Sequence, residues 1–237
     1  MDLQPISYDH GDRTFTGWLA DGSSGGPAPG ILVIHEGGGL ADHTKDRAAW
    51  LADLGYVAYA MDLFGATGLP LDEMRAIAQE LRADVPTLRG RCNAALGVLR
   101  DHANVDPARL TAIGHCFGGA AAIELARSGA PLAAVVGFHA GILPGTKEDN
   151  RAIGGKVLLC HGVDDPVVPV AQIHAFAADL EEAGVDWQVH VYGGVGHSFT
   201  NPAIDALGYP GFFYHATAER RSWAAMLALF GEAFGER

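Results

Sequence analysis

Three short segments hold residues whose types and spacing could do chemistry. Gly114-His115-Cys116-Phe117-Gly118 sets a cysteine between glycines in a G-x-nucleophile-x-G spacing. It follows an apolar run, Leu110 to Ile113, and leads into an alanine-rich stretch, Ala120 to Arg127. A strand that turns sharply into a helix needs small neighbours around the exposed residue, which is what the glycines supply. A sulfur at a helix N-terminus is favoured as the thiolate. A cysteine on its own is more often a core residue, and Cys92 and Cys160, which lack this setting, read that way.

A cysteine nucleophile needs a base, and the base needs an orienting carboxylate. His161-Gly162-Val163-Asp164-Asp165-Pro166-Val167-Val168-Pro169 follows the apolar run Val157 to Cys160. A carboxylate just past the C-terminal end of a strand stands on the edge where α/β sheets place their chemistry. Asp165 is preferred and Asp164 is its rival, since either could be a turn residue. His197 lies in Gly193-Gly194-Val195-Gly196-His197-Ser198-Phe199, where glycines free the chain to bring an imidazole to the nucleophile. The chain has eleven histidines, and His197 is singled out by its order after the nucleophile and acid and by its position after a strand.

The elements that must position these residues alternate along the chain. Leu3 to Tyr8 and Thr14 to Leu19 read as strands joined by a turn at Gly11-Asp12, and Gly22 to Pro29 as a loop. The continuous apolar run Ile31 to Ile34 suits a strand covered on both faces. Asp42 to Leu54 is an expected helix ending at Gly55, and Tyr56 to Met61 the next strand. Leu71 to Arg82 and Thr87 to His102 read as helices separated by Pro86. Leu132 to Phe138, Val157 to Cys160 and Trp187 to Tyr192 are further strands, with helices at Val170 to Ala183 and His215 to Phe234. Such alternation predicts an α/β fold, a mostly parallel central sheet with helices on both faces. A single domain over residues 1–237 is expected, with no internal repeat.

Composition bounds the function. Nearly half of the 237 residues are apolar (49%), enough for a sizeable core. A formal net charge of −12 disfavours nucleic acid and anionic membranes as partners. There is no signal-peptide pattern and no apolar stretch of bilayer length, and three cysteines make no disulfide framework. The cytoplasm is the expected location. No histidine or cysteine spacing marks a metal site: His35, His139 and His215 share no ligand pattern. No cofactor is expected.

Together these motifs resemble the dienelactone hydrolase family, an α/β-hydrolase fold, over nearly the whole chain from the Ile31 strand onward. The carrying segments are G-H-C-F-G-G at 114–119, H-G-V-D-D-P-V-V-P at 161–169, G-H-S-F at 196–199, and Asp62-Leu63-Phe64, which is similar to the family's D-L-[FY]. The resemblance implies Cys116 as nucleophile, His197 as base and acid, and Asp165 as orienter. It also implies a role for Glu36, which in the family sits beside the resting cysteine and helps set its thiol/thiolate state. The oxyanion hole is assigned to the amides of Gly37 and Phe117.

One departure bears on the substrate. Family members hold a substrate carboxylate with arginines, one of them shortly after G-H-S-F; here that stretch reads Ser198-Phe199-Thr200-Asn201-Pro202. Arg75 and Arg82 lie where the other could come from. Phe64, Phe138, Phe199, Phe212, Phe213 and Tyr214 are expected to bind substrate, although each taken singly is more often core. The expectation is a hydrolase of activated neutral esters or lactones acting through an acyl-cysteine, on a small-molecule substrate and with a homodimer left open. The runner-up is a phosphotriesterase using the same triad. A redox-active thiol or a ligand-binding protein is the alternative of another class; no resolving cysteine lies near Cys116.

Overall fold

The computed structural model describes residues 1–235. Eight strands form one sheet in the order β1-β2-β4-β3-β5-β6-β7-β8. By compactness the chain divides into two units, Met1–Ile113 and the part from Gly114 onward.

In the first unit, β1 (Leu3–His10) and β2 (Arg13–Asp21) make a hairpin in which His10 faces Arg13 across a two-residue turn. Gly11 takes φ 62° there, the left-handed region such turns require. β2 also pairs antiparallel with β4 (Val57–Met61), which runs parallel to β3 (Ala28–Ile34). All seven residues of β3 and all five of β4 are buried, as unbroken apolar runs covered on both faces must be. Helices α1 (Asp42–Asp53), α2 (Leu71–Ala83) and α3 (Val85–Arg100) follow, α1 and α3 packing on the strands and α2 on α3.

Pro86 does not separate the two helices. It sits in the first turn of α3, where its missing N–H is no loss, and Asp84 caps that helix by accepting from Thr87 N. β5 (Val105–His115) is longer than its apolar half suggests, because the four residues after Val105 are part-exposed or exposed.

In the second unit, α4 (Phe117–Arg127) begins immediately after Cys116, three residues before the expected start, so the cysteine itself is the cap. β6 (Ala134–Phe138), β7 (Lys156–Gly162) and β8 (Trp187–Tyr192) run parallel to one another. α6 (Val170–Ala183) joins the last two, and α7 (Ala216–Phe234) packs on β6 and β7 with His215 as its N-cap. Two short elements go beyond the sequence reading. These are α5 (Lys147–Arg151), held by a Thr146/Asp149 capping box, and a 3₁₀ turn at Pro202–Leu207. Among the described residues no helix is long and apolar enough to cross a membrane.

Candidate active site

The cysteine segment folds as its glycines require. A Cβ on Gly114 would meet the carbonyl oxygen of Gly118 at 2.0 Å, and one on Gly119 would meet the Ala140 Cβ at 2.5 Å. Only bare backbone lets strand β5 turn so tightly into α4. Cys116, at the apex, is forced to φ 54°, ψ −113°, a strained conformation for a residue with a side chain. Its amide donates to Phe138 O at 2.9 Å, and the residue is only half-buried.

His197 Nε2 lies 3.1 Å from Cys116 Sγ, and its Nδ1–H donates to Asp165 Oδ2 at 2.7 Å. The structure thus brings together the three side chains expected to act jointly and separates the two aspartates. Asp165 is buried and bonded to the imidazole, whereas Asp164 is exposed. The other oxygen of Asp165 accepts from the amides of Val167 and Val168 at 2.8 and 2.9 Å. His161 braces the same turn, its Nε2–H donating to Val168 O at 2.9 Å. That explains the histidine of the 161–169 segment, to which sequence reasoning gives no task.

Burial alone would push the His197 imidazolium towards deprotonation. The hydrogen bonds and charges of Asp165 and Cys116 outweigh it, and the pKa is raised to about 10. Burial opposes the Asp165 carboxylate too, yet the His197 bond and charge and the two valine amides hold its pKa below the ordinary value. Cys160 shows what burial does without such partners: its thiol is pushed up to about 12, with only the Tyr192 hydroxyl at 3.6 Å to offset it.

In the first unit, Glu36 and Gly37 are half-buried on the segment after β3. His35 fixes their shared peptide, its Nδ1–H donating to Glu36 O at 2.7 Å while its Nε2 accepts from Leu63 N at 3.0 Å. A trans peptide is rigid, so pinning that carbonyl also aims the Gly37 N–H. The 62–65 turn is tied down in its own right. Tyr8 OH, Arg91 Nη1 and Arg13 Nη2 donate to the carbonyls of Asp62, Leu63 and Phe64 at 2.6, 2.9 and 3.2 Å.

The aromatic residues expected at the substrate divide. Phe212 is part-exposed, and its ring centroid lies 4.9 Å from that of His197. Phe213 and Tyr214 are also part-exposed, and Tyr214 OH bonds Glu219 Oε2. Phe64, Phe138 and Phe199 are fully buried against other rings: Phe64 on His35, Phe138 on His115 and Trp223, Phe199 on His139 and Tyr192. Asn201 caps its own 3₁₀ turn by accepting from Ala203 N, and Arg75 and Arg82 are exposed on α2. Among the described residues, no three His, Cys, Asp or Glu side chains are grouped to hold a metal.

A sheet of this order with a strained residue at the β5–α4 turn, followed by an acid and a histidine, defines an α/β-hydrolase-fold enzyme. The dienelactone hydrolase family model matches residues 15–234, and the chain belongs to that family. A Methylorubrum extorquens protein provisionally assigned as a carboxymethylenebutenolidase is 31% identical over 200 residues, covering 79% of this chain and 69% of its own. Among solved structures, a dienelactone hydrolase-like promiscuous phosphotriesterase from metagenomic libraries is 42% identical, with a TM-score of 0.93 and 98% of each chain covered. A dienelactone hydrolase-type structure from Klebsiella pneumoniae, 21% identical at TM-score 0.81, covering 97% of this chain and 98% of its own, shares the fold. The chain is a hydrolase acting on ester bonds.

Proposed function

We propose that this enzyme hydrolyses activated, neutral carboxylic esters and lactones through a covalent acyl-cysteine. The observation that carries the reading is the relay in which His197 is bonded at one edge to Cys116 and at the other to Asp165. With its pKa raised to about 10, His197 holds the proton that Cys116 gives up. The thiolate adds to the substrate carbonyl, forming a C–S bond and a tetrahedral oxyanion. The amides of Phe117 and Gly37 are its proposed donors. The oxyanion collapses, the C–O bond to the leaving group breaks, and His197 protonates the departing alkoxide. Water then attacks the thioester with His197 as base. The acid leaves and the cysteine is restored. Glu36 is proposed to help set the thiol/thiolate state of Cys116 when substrate arrives.

Substrate charge follows from what the G-H-S-F segment lacks. A carboxylate buried without a cationic partner carries a large desolvation penalty, and Asn201, where the family's clamp would want an arginine, is engaged in capping. A second reading has its own support. The 42%-identical structure is described as a promiscuous phosphotriesterase, and a neutral aryl phosphotriester presents an electrophile and a P=O oxygen to the same groups.

The test compares kcat/KM for a neutral aryl ester, the same ester with a carboxylate remote from the reacting carbon, and an aryl dialkyl phosphate. The neutral ester should win over its charged partner by about tenfold or more, the value of one charge-assisted hydrogen bond. Preference for the charged ester would return the enzyme to dienelactone-like substrates. If the phosphate beats both, the second reading becomes the function.

A further inference from the structure

The triad leaves one buried side chain of the same cluster without a task. We infer that His139 is a positioning residue: anchored by Thr200, it holds the His197 imidazole in line between Asp165 and Cys116. The inference rests on the proposed role of His197 as base.

The first observation is backbone strain. Among the described residues, only three that are not glycine take a positive φ: Cys116 at 54°, His139 at 40° and Ser198 at 56°. Cys116 is the apex of the elbow, and Ser198 follows His197. His139 follows β6, where no catalytic role explains its conformation. Glycine adopts this region freely; among residues with side chains it is uncommon, although asparagine, aspartate and histidine tolerate it best. Local preference would therefore put glycine at 139. A histidine there still departs from the most relaxed choice, and backbone of this kind gathers at functional sites.

The second observation is where that side chain goes. His139 is fully buried, and its ring centroid lies 5.1 Å from that of His197 at 64°, an edge-to-face contact. Its Nε2 shares a 2.9 Å hydrogen bond with Thr200 Oγ1, and Thr200 is itself fully buried. Thr200 lies three residues after His197, so the bond ties both ring and loop. The other titratable ring near His139 is His115, at 6.0 Å.

The third observation concerns the turn that carries His139. Phe138 O accepts from Cys116 N at 2.9 Å, and Gly141 N donates to Cys116 O at 3.4 Å. His139 N is itself held by Cys160 O at 2.8 Å. One turn thus fixes the backbone of the nucleophile and, through His139, the ring of the base. Asp165 fixes His197 at a single nitrogen, and the Cys116 contact at the other is given up once the sulfur bonds substrate. Packing by His139, with Phe212 as the part-exposed second ring, then keeps the imidazole in line.

The test uses His139→Asn, which accepts the left-handed backbone and loses the ring, and Thr200→Val, which keeps its shape and loses the anchor. Turnover of p-nitrophenyl acetate is measured per titrated cysteine, alongside the pH profile of Cys116 alkylation by iodoacetamide. His139→Asn should lower kcat about 10- to 100-fold with KM nearly unchanged, the penalty of a misplaced base. Its alkylation profile should move away from that of wild type, because the displaced imidazole no longer meets the sulfur. Thr200→Val should move both readouts the same way by less. A purely structural residue would lower stability and leave both readouts in place, so values within about twofold of wild type overturn the inference. If His139→Asn does not fold, unchanged readouts in Thr200→Val overturn it equally. Unchanged turnover and alkylation in Asp165→Asn would sink the His197 reading, and this inference with it.

Discussion

His35 and His197 are buried alike, at 0% and 1% exposure, each on a segment that follows a strand, yet their proton affinities part in opposite directions. Burial pushes the His35 pKa down to about 4; its hydrogen-bond partners are neutral backbone groups at Glu36 and Leu63, and the Asp62 carboxylate stays 4.0 Å from its Nε2. Burial works against His197 too, but a carboxylate and a thiol reverse it. The partner, and not the depth, decides whether a buried histidine carries charge. The backbone draws the same contrast. Around His35 the left-handed turns fall to glycines, Gly39 at 81° and Gly65 at 75°, while around His197 three residues with side chains, Cys116, His139 and Ser198, join Gly194 and Gly211 in that region. Glycine serves where only a turn is needed. A side chain under strain marks a place where its chemistry is.

Breaking the carboxylate half of this contrast should give the largest effect. Asp165→Asn removes the charge that raises His197, and kcat for an aryl ester should fall about 10³- to 10⁴-fold, as for other triads that lose their orienter. Asp164→Asn, at an exposed position, should stay close to wild type. Equal, mild losses in both would contradict the assignment of the relay.

The His35 side predicts a different kind of damage. His35→Phe fills the space but leaves the buried Leu63 N–H without its acceptor, so urea melts should show about 1–3 kcal/mol of lost stability. A melt unchanged from wild type would mean that the Leu63 N–H does not depend on His35, and the contrast fails.

A third prediction reads protonation directly. Imidazole ¹⁵N NMR should find His197 doubly protonated at pH 8 and His35 neutral, with its proton on Nδ1, well below pH 6. The smallest effect is on stability. A folded-state pKa held below the unfolded one means that, between about 4 and 6.5, the unfolded chain binds the extra proton. The His35 contribution should therefore rise with pH across that window and fade as pH falls through it. The difference in stability between wild type and His35→Phe should narrow accordingly.

Much of this is legible in the sequence because it is local. The 114–119 segment encodes its own turn, and the alternation of elements encodes the sheet. Asp165 and Asp164 share one turn; the 161–169 pattern favours Asp165, and tertiary burial and the bond to His197 separate the two. Pro86 reads as a break when taken as a breaker, yet a proline is at home in the first turn of α3. The helix Lys147–Arg151 is too short to show periodicity, although the Thr146–Asp149 capping pair announces it. Phe138 and Phe199 read towards the substrate by type, but their neighbours are other buried rings, contacts that no spacing reveals. His139 has no motif at all: its φ and its contacts with His197 and Thr200 exist only in the folded chain.

If Cys116 is the nucleophile, its acyl intermediate can be trapped. The protein is mixed with a slowly turned-over aryl ester, quenched in acid during the burst, digested and mapped by mass spectrometry. The account predicts an acyl group on Cys116 in wild type, accumulating further when deacylation is slowed, and neither adduct nor turnover in a folded Cys116→Ala variant. An adduct at another residue, or near-normal hydrolysis by Cys116→Ala, would contradict it.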